Sequence, residues 1–310
     1  MMNEVVTINT DNHAAMVKML GMTDDAKLKK KVSTLNRLRL WHYPVMGQAE
    51  VNGKMTNVEV IDGGNFRLEM IDGGTSTFIY SKTISMRPFM QRFSLQRFVA
   101  NKNAKPNEPK GSMQRTIMAD SLDLDLKDNT GRFNCGKPSG WIEDFKALPS
   151  EMQQLIREIK RVRAVFGVVT MENPTDANGQ PIEEVTIPFI WEVNNNQAFK
   201  LIGEQMGVFV RHNRLPLSHS IKFSPSLEHE MDNNSSYFTP VCKADMSVNY
   251  NITEKDNELL ATFMDWVKNN NDLICKDWDT HNTKRQEEMP QEEKDTVEDF
   301  IDIEMEGETV

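Results

Sequence analysis

The sequence predicts an α+β fold in which antiparallel β structure dominates the first half of the chain. Three observations carry that expectation. From Leu38 to Ile84 the chain reads as short runs of strand-like alternation (LRLWHYPV, MTNVEVI, NFRLEMI and STFIYSKTI). Those runs are punctuated by Asn52-Gly53, Asp62-Gly63-Gly64 and Asp72-Gly73-Gly74, residues that supply the positive φ of tight hairpins. Helical periodicity is concentrated further along, after Pro149. A strongly twisted meander, closed or partly open as a small barrel with inserted and flanking helices, is the natural product.

Taken in order, residues 1–34 form an N-terminal arm without a clear period. Within it Asp24-Asp25 and the bases Lys27 to Lys31 mark a short helix, acidic at its start and basic towards its end. The core is expected over 35–285. After the meander, SMRPFMQRFSLQRFVAN continues as one long strand or bent ribbon, followed by the exposed loop NKNAKPNEPKGS. QRTIMADSLDLDL is a further strand candidate and KDNTGRFNCGKPSG a loop. EMQQLIREIKRV reads as a helix running into the strand RAVFGVVTM, with EEVTIPFIWEV as the return strand. A helix near 195–206, strands at SHSIKFS and SYFTPVCKADMSV, and a helix near 254–275 complete the core. Residues 286–310 are a glutamate-rich tail, too poor in apolar surface to order itself.

Composition bounds the function. At 310 residues the chain can bury a sizeable core, and a hydrophobic content of 38% with mean hydropathy −0.55 is lean but globular. The first residues lack the basic and apolar regions of a secretory signal, and no window of eighteen apolar residues offers a membrane span. Cys135, Cys242 and Cys275 are three widely spaced thiols, which fit a reducing cytoplasm rather than a disulfide framework.

Charge is the most informative quantity. Between 286 and 310 stand eleven acids and one base, Lys294, which account for the entire formal net charge of −10. The body is therefore neutral, but unevenly so: residues 82–115 hold eight bases and one acid, Glu108. In that stretch Arg87, Arg92 and Arg97 recur every five residues, with Phe89, Phe93 and Phe98 beside them. On an uninterrupted strand Phe89, Phe93 and Arg97 share one face, and Arg92 and Phe98 the other. Guanidiniums take phosphates and rings stack bases, so the ribbon reads as a groove for unpaired nucleic acid, extended by Lys102, Lys105, Lys110 and Arg115. The competing reading is an edge strand whose phenylalanines are core and whose arginines are merely solvated. Trp41 and Tyr43 offer either a stacking platform or core packing.

Gly131 to Lys137 matches GxxxxGK, yet Pro138 stands where a phosphate-binding loop needs Ser or Thr, so nucleotide hydrolysis is rejected. Arg132, Phe133, Lys137 and Trp141 suit a strand-gripping loop or an ordinary glycine-rich connection. Asp120, Asp123, Asp125 and Asp128 lack the companions of a nuclease centre, and the six histidines show no zinc spacing. No nucleophile motif is present either, so the sequence supports neither an enzyme nor a cofactor. In the tail, Asp299, Phe300, Ile301, Asp302, Ile303 and Glu304 set apolar anchors among acids, the pattern of a short docking motif.

The basic aromatic ribbon, the later half (IPFIWEVNNNQAFKLIGEQM through MDWVKNNN) and the acidic tail together resemble the single-stranded DNA-binding proteins of tailed bacteriophages. The resemblance covers most of 35–310 and is architectural. It implies an antiparallel OB-like barrel, Arg87, Arg92, Arg97 and the adjoining aromatics in the DNA groove, and a tail that recruits a replication polymerase or helicase. One departure is plain: the chain ends Gly307-Glu308-Thr309-Val310, with its last aromatic ten residues inside. A virion structural or assembly protein, and a single-strand annealing recombinase, are the alternative expectations.

Overall fold

The computed structural model describes residues 35–51, 54–72, 75–101, 105–107, 109–122, 130–138, 142–230 and 236–288. The N-terminal arm, Lys102, the acids Asp123, Asp125 and Asp128, Trp141 and the docking residues 299–304 lie outside them. The architecture is α+β and mostly sheet. Strands β1 (Asn36–Trp41), β4 (Asn65–Asp72), β5 (Thr75–Ser81), β6 (Thr83–Ala100), β7 (Gly111–Arg115), β8 (Lys160–Glu172), β9 (Val185–Val193), β10 (Ser220–Glu230) and β11 (Ser236–Asp245) build one mixed sheet. Its order is β11-β10-β6-β8-β9-β1-β4-β5, with β7 on the far end of β6; β2 (Val45–Val51) and β3 (Lys54–Ile61) form a separate hairpin. Helices α1 (Ser150–Glu158), α2 (Asn196–Arg211) and α3 (Glu254–Glu288) flank it.

The anticipated barrel does not close. No closed barrel forms among the described residues, because the strand path ends at β11 and β5 with no ladder joining them. The sheet instead curls until side chains from distant strands meet. Phe66 of β4 and Phe223 of β10 stand edge to face with centroids 5.4 Å apart, and Trp191 of β9 lies within 6 Å of both. At one end the Phe238 amide of β11 donates to His42 Nδ1 at 3.0 Å, and Ser226 Oγ donates to the Gly64 carbonyl. The opening is thus bridged by side chains rather than by a backbone ladder.

Two of the three expected turns fall between strands that pair with each other: β2 with β3 as far as Val51↔Lys54, and β4 with β5 as far as Asp72↔Thr75. Asn52-Gly53 and Gly73-Gly74 themselves lie outside the described residues. Asp62-Gly63-Gly64 is no hairpin, since β3 pairs with β2 while β4 pairs with β1. Its glycines serve close approach: Gly64 adopts φ +80°, and a Cβ there would stand 2.4 Å from the Phe238 ring.

Strand β8 shows why the middle of the sheet reads as nearly continuous apolar sequence. It is covered on both faces, so both alternating sets must be apolar. Val165, Val169 and Met171 join the larger core with Leu38, Leu68, Ile84, Met86 and the α2 residues Ile202, Met206 and Phe209. Ala164 and Phe166 join Phe89, Ile190, Phe263 and Val267 beneath α3. Fully burying each such side chain is worth about 1.5–3 kcal/mol, so two covered faces fix the strand firmly.

Several boundaries differ from expectation. The helix predicted through Val162 stops at Glu158, because Lys160 onward is recruited into β8. Of the strand predicted over 114–126, Gln114 and Arg115 belong to β7, which starts earlier at Gly111, residues 116–122 are outside any strand, and 123–126 lie outside the described residues. Helix α3 runs to Glu288, across the expected start of the tail.

Candidate nucleic-acid interface

Strand β6 is as long as predicted, but a bulge redistributes its side chains. The register with β8 slips between Pro88 and Met90, leaving Phe89 as the extra residue. The slip sends Phe89 beneath α3, edge to face with Phe263 at 6.0 Å, while Phe93 packs on the opposite face against Phe199 of α2 at 6.2 Å. Phe89 and Phe93 therefore do not share a face, and Phe89 is core. Arg87 is also committed. Its guanidinium makes paired hydrogen bonds to Asp256 of α3, at 2.9 and 3.1 Å, and the two side chains are only 15% and 11% exposed.

The remaining predicted residues separate into three groups. Arg92 donates to the Gln91 carbonyl at 2.9 Å, and Arg97 donates to Gln114 at 3.1 Å across the β6–β7 pair. Phe98, 52% exposed, sits opposite Met113 on the same ribbon, while Lys105 and Lys110 are exposed in the connecting loop. The 130–138 loop is a tight turn rather than a strand-to-helix phosphate loop. The Arg132 carbonyl accepts from Ile117, Arg132 Nε donates to Thr130, and Asn282 of α3 donates to the Thr130 carbonyl. Phe133 and Lys137 are half-buried in that turn. It is held as part of the packing against α3.

The third group, Trp41, Tyr43 and Arg115, converges on a site the charge pattern did not locate. Strand β1 pairs in parallel with β9 at Asn36 and Arg37 alone, then the two strands part. A cleft of ≈ 390 Å³ opens between them, lined among others by Arg39, Trp41, Tyr43, Arg115, Glu192 and Phe238. Alternation places Arg37, Arg39 and Trp41 on one face of β1, opposite the face that buries Leu38. The register sets Arg67 of β4 directly across from Arg39.

Arg67 organises this face. Its Cζ lies 3.6 Å from the Trp41 ring centroid and 4.9 Å from that of Phe78, so the guanidinium is held near two rings. Its Nε is buried without a hydrogen-bond partner among the described residues. Tyr43 stands edge-on to Trp41 at 5.9 Å and is 67% exposed, leaving its ring open for stacking. Arg37 and Arg39 are exposed as well. Arg115 overhangs from the β6–β7 ribbon, and its 3.1 Å ion pair with Glu192 fixes its direction. Arginines and rings thus share a surface beside a cleft. Phosphates suit the guanidiniums, and bases suit the rings.

Arg37, Arg39, Arg67 and Phe78 do not stand out in the sequence by local charge. The signal was present in Asn36-Arg37-Leu38-Arg39-Leu40-Trp41, where arginines and tryptophan fall at every second position. It is short beside the 82–115 run, and net charge per window does not report alternation. Arg67 and Phe78 needed the strand register.

The Cys135 thiol is pushed up to about 12 by burial, partly offset by Arg97, and Cys242 is pushed up to about 11, chiefly by burial. Neither offers a thiolate near neutral pH. Among the described residues no cluster of His, Cys, Asp and Glu is arranged to hold a metal ion. Likewise, no helix among them is long and apolar enough to cross a membrane.

Compared with known protein families, characterised proteins and solved structures, the chain matches none.

Proposed function

We propose that this protein binds single-stranded DNA, largely without regard to sequence, through the face formed by β1, β4 and β5 and the cleft beside it. One observation carries the reading: Arg37, Arg39 and Arg67 share a partly exposed sheet face with Trp41 and Phe78, beside the exposed Tyr43, where β1 departs from β9, and the acid Glu69 opposite Arg37 leaves the face net positive. Positive charge with interleaved rings is what an unpaired strand requires, because its bases are free to stack and its backbone is anionic. A duplex keeps its bases stacked on each other and offers nothing to Tyr43. The protein protects and extends unpaired strands in replication or recombination, in the cytoplasm of the cell where that DNA is copied.

The kinship with OB-type phage proteins belongs to this proposal. The curled, mostly antiparallel sheet, with a strand face open to a ligand, supports it, although the sheet does not close. The tail, with Phe300, Ile301 and Ile303 among its acids, is assigned to contact with a replication polymerase or helicase.

The test is a polarisation titration with labelled oligo-dT at several salt concentrations. Affinity should fall with salt, log K declining by about 0.7 per phosphate neutralised per decade. Duplex of the same length should bind far more weakly. Equal affinity for duplex and single strand, or no dependence on salt, would overturn the proposal and favour a structural role in virion assembly.

A further inference from the structure

A second basic pocket lies around the N-terminus of α2 from the cleft. Residues Asn194, Asn195 and Ala198 line the cleft, and the intervening Asn196 and Gln197 line the neighbouring cavity of ≈ 820 Å³. The two hollows are therefore adjoining stretches of one surface. The second cavity is walled by Arg161 and Arg163 at the start of β8 and by Lys200 and Arg211 on α2, with one carboxylate, Glu204.

Arg163 is what makes this more than a patch of surface charge. It is only 9% exposed and lies on β8, where neighbouring residues are core. Its guanidinium sits between two rings, 4.5 Å from the Phe199 centroid and 4.9 Å from that of Phe93. Nη1 donates to the Gln91 side chain, while Nε is buried with no partner among the described residues. The fork reaches the cavity because α2 carries Gly203 there: a Cβ at that position would stand 2.5 Å from Nη2. Burial lowers the pKa of Arg163 from arginine's usual value, which marks a cation without full compensation. Arg161 adds a second guanidinium 5.4 Å from Phe199. A packed arginine whose Nη2 end reaches the cavity beside Gly203, next to exposed cations, is suited to an oxyanion that accepts several hydrogen bonds.

We propose that this pocket is a phosphate site that holds a backbone phosphodiester of the same strand gripped by the β1–β9 cleft, an inference that rests on the single-strand reading above. The strand leaves the cleft, passes the turn at Asn194–Gln197 and places a phosphate against Arg163. The flanking Arg161, Lys200 and Arg211 supply long-range attraction, and Arg163 supplies the directed contact.

The test combines two measurements on the full chain. In the first, the exposed residues are changed together (Arg161→Gln, Lys200→Gln, Arg211→Gln), which spares the packed Arg163. Oligo-dT long enough to span both hollows should then show a salt slope lower by about 0.7 for each phosphate that is no longer neutralised. An oligonucleotide that fills the cleft alone should bind both proteins equally. If the wild-type chain binds the long oligo-dT but the triple variant keeps its slope and affinity, the pocket inference is overturned and the single-strand reading stands. If the wild-type chain binds no single strand at all, both fall. In the second, the Arg163 Nε–H resonance is followed by 15N NMR as inorganic phosphate and dTMP are added. A shift produced by oligo-dT long enough to span both hollows, at concentrations where inorganic phosphate and dTMP give none, supports the phosphodiester. A shift with the free phosphates alone identifies a small-molecule phosphate site and overturns the strand path.

Discussion

Arg87 of β6 and Asp256 in the first turn of α3 form a two-point ion pair, Nη1 to Oδ1 at 2.9 Å and Nη2 to Oδ2 at 3.1 Å. Asp256 also accepts from the Thr253 amide and hydroxyl while its own amide donates to Thr253 Oγ1, so it completes the capping box of α3 while holding β6. The pair ties the longest helix to the central sheet and uses the first arginine of the basic ribbon for that purpose. Breaking a largely buried pair leaves one charge unmatched, at a cost of about 3 kcal/mol. Arg87→Gln should therefore lower the urea midpoint substantially. Affinity of the folded variant for oligo-dT should match wild type, and a large loss of affinity would return Arg87 to the binding surface.

Two groups predict how stability responds to pH. At Asp256, burial alone would raise the carboxyl, but the hydrogen bonds from Arg87 and Thr253 outweigh it and the pKa is lowered. A depressed carboxyl contributes stability above its unfolded pKa, and that contribution is lost as pH falls through the folded value. His42 acts in the same direction at higher pH. Burial lowers its pKa from 6.5, and Nδ1 accepts from the Phe238 amide, which a proton at Nδ1 would forbid. The unfolded chain then binds the extra proton, so stability declines as pH drops below about 6.5 towards the folded value. Urea midpoints measured from pH 7.5 to 3 should fall below about pH 6.5 through His42 and again below about pH 4 through Asp256. His42→Gln should flatten the upper part of that profile, and an unchanged profile would remove His42 from the bridge across the opening.

The sequence made the sheet legible wherever local pattern and local packing agree. Alternation located β3, β4 and β5, and Pro149 preceded α1 as expected. It failed where pairing is decided at long range. Asp62-Gly63-Gly64 has hairpin chemistry, yet its neighbours pair elsewhere, because Gly64 is needed under Phe238. Phe89 has the spacing of a groove residue, and one bulge turns it into core. Of the candidate site, Trp41, Tyr43 and Arg115 were named from sequence. Arg67 and Phe78 became visible only through the register of β4 with β1 and β5.

That bulge yields a third prediction. Gly167 of β8 faces Pro88, and a Cβ there would lie 2.1 Å from the Arg87 carbonyl oxygen and 3.0 Å from Pro88 Cα. Both neighbours are backbone, so nothing can swing aside. Gly167→Ala should destabilise the fold by about 3 kcal/mol, the upper end of what overpacking costs. It should also weaken the Arg87–Asp256 pair, because it displaces the strand that carries Arg87. Thermal unfolding of the single variant and of Gly167→Ala with Arg87→Gln should then be less than additive. Full additivity would mean that the two sites are structurally independent.

The binding face makes the sharpest prediction, because two of its aromatic residues should fail in different ways. Tyr43 is exposed and meets Trp41 edge-on, so Tyr43→Ala should leave stability almost unchanged. If a base stacks there, affinity for oligo-dT should fall by about 1–3 kcal/mol, roughly 5- to 150-fold. Trp41 holds the Arg67 guanidinium at 3.6 Å, so Trp41→Ala should lower affinity and also release Arg67. Released, Arg67 still offers its charge, and the salt slope should persist while affinity falls. Arg67→Gln should do the reverse: the salt slope drops by about 0.7 while Tyr43 continues to stack. Oligo-dT titrations of the three variants at two salt concentrations separate these outcomes. A Tyr43→Ala protein that binds as tightly as wild type would place the strand elsewhere on the sheet.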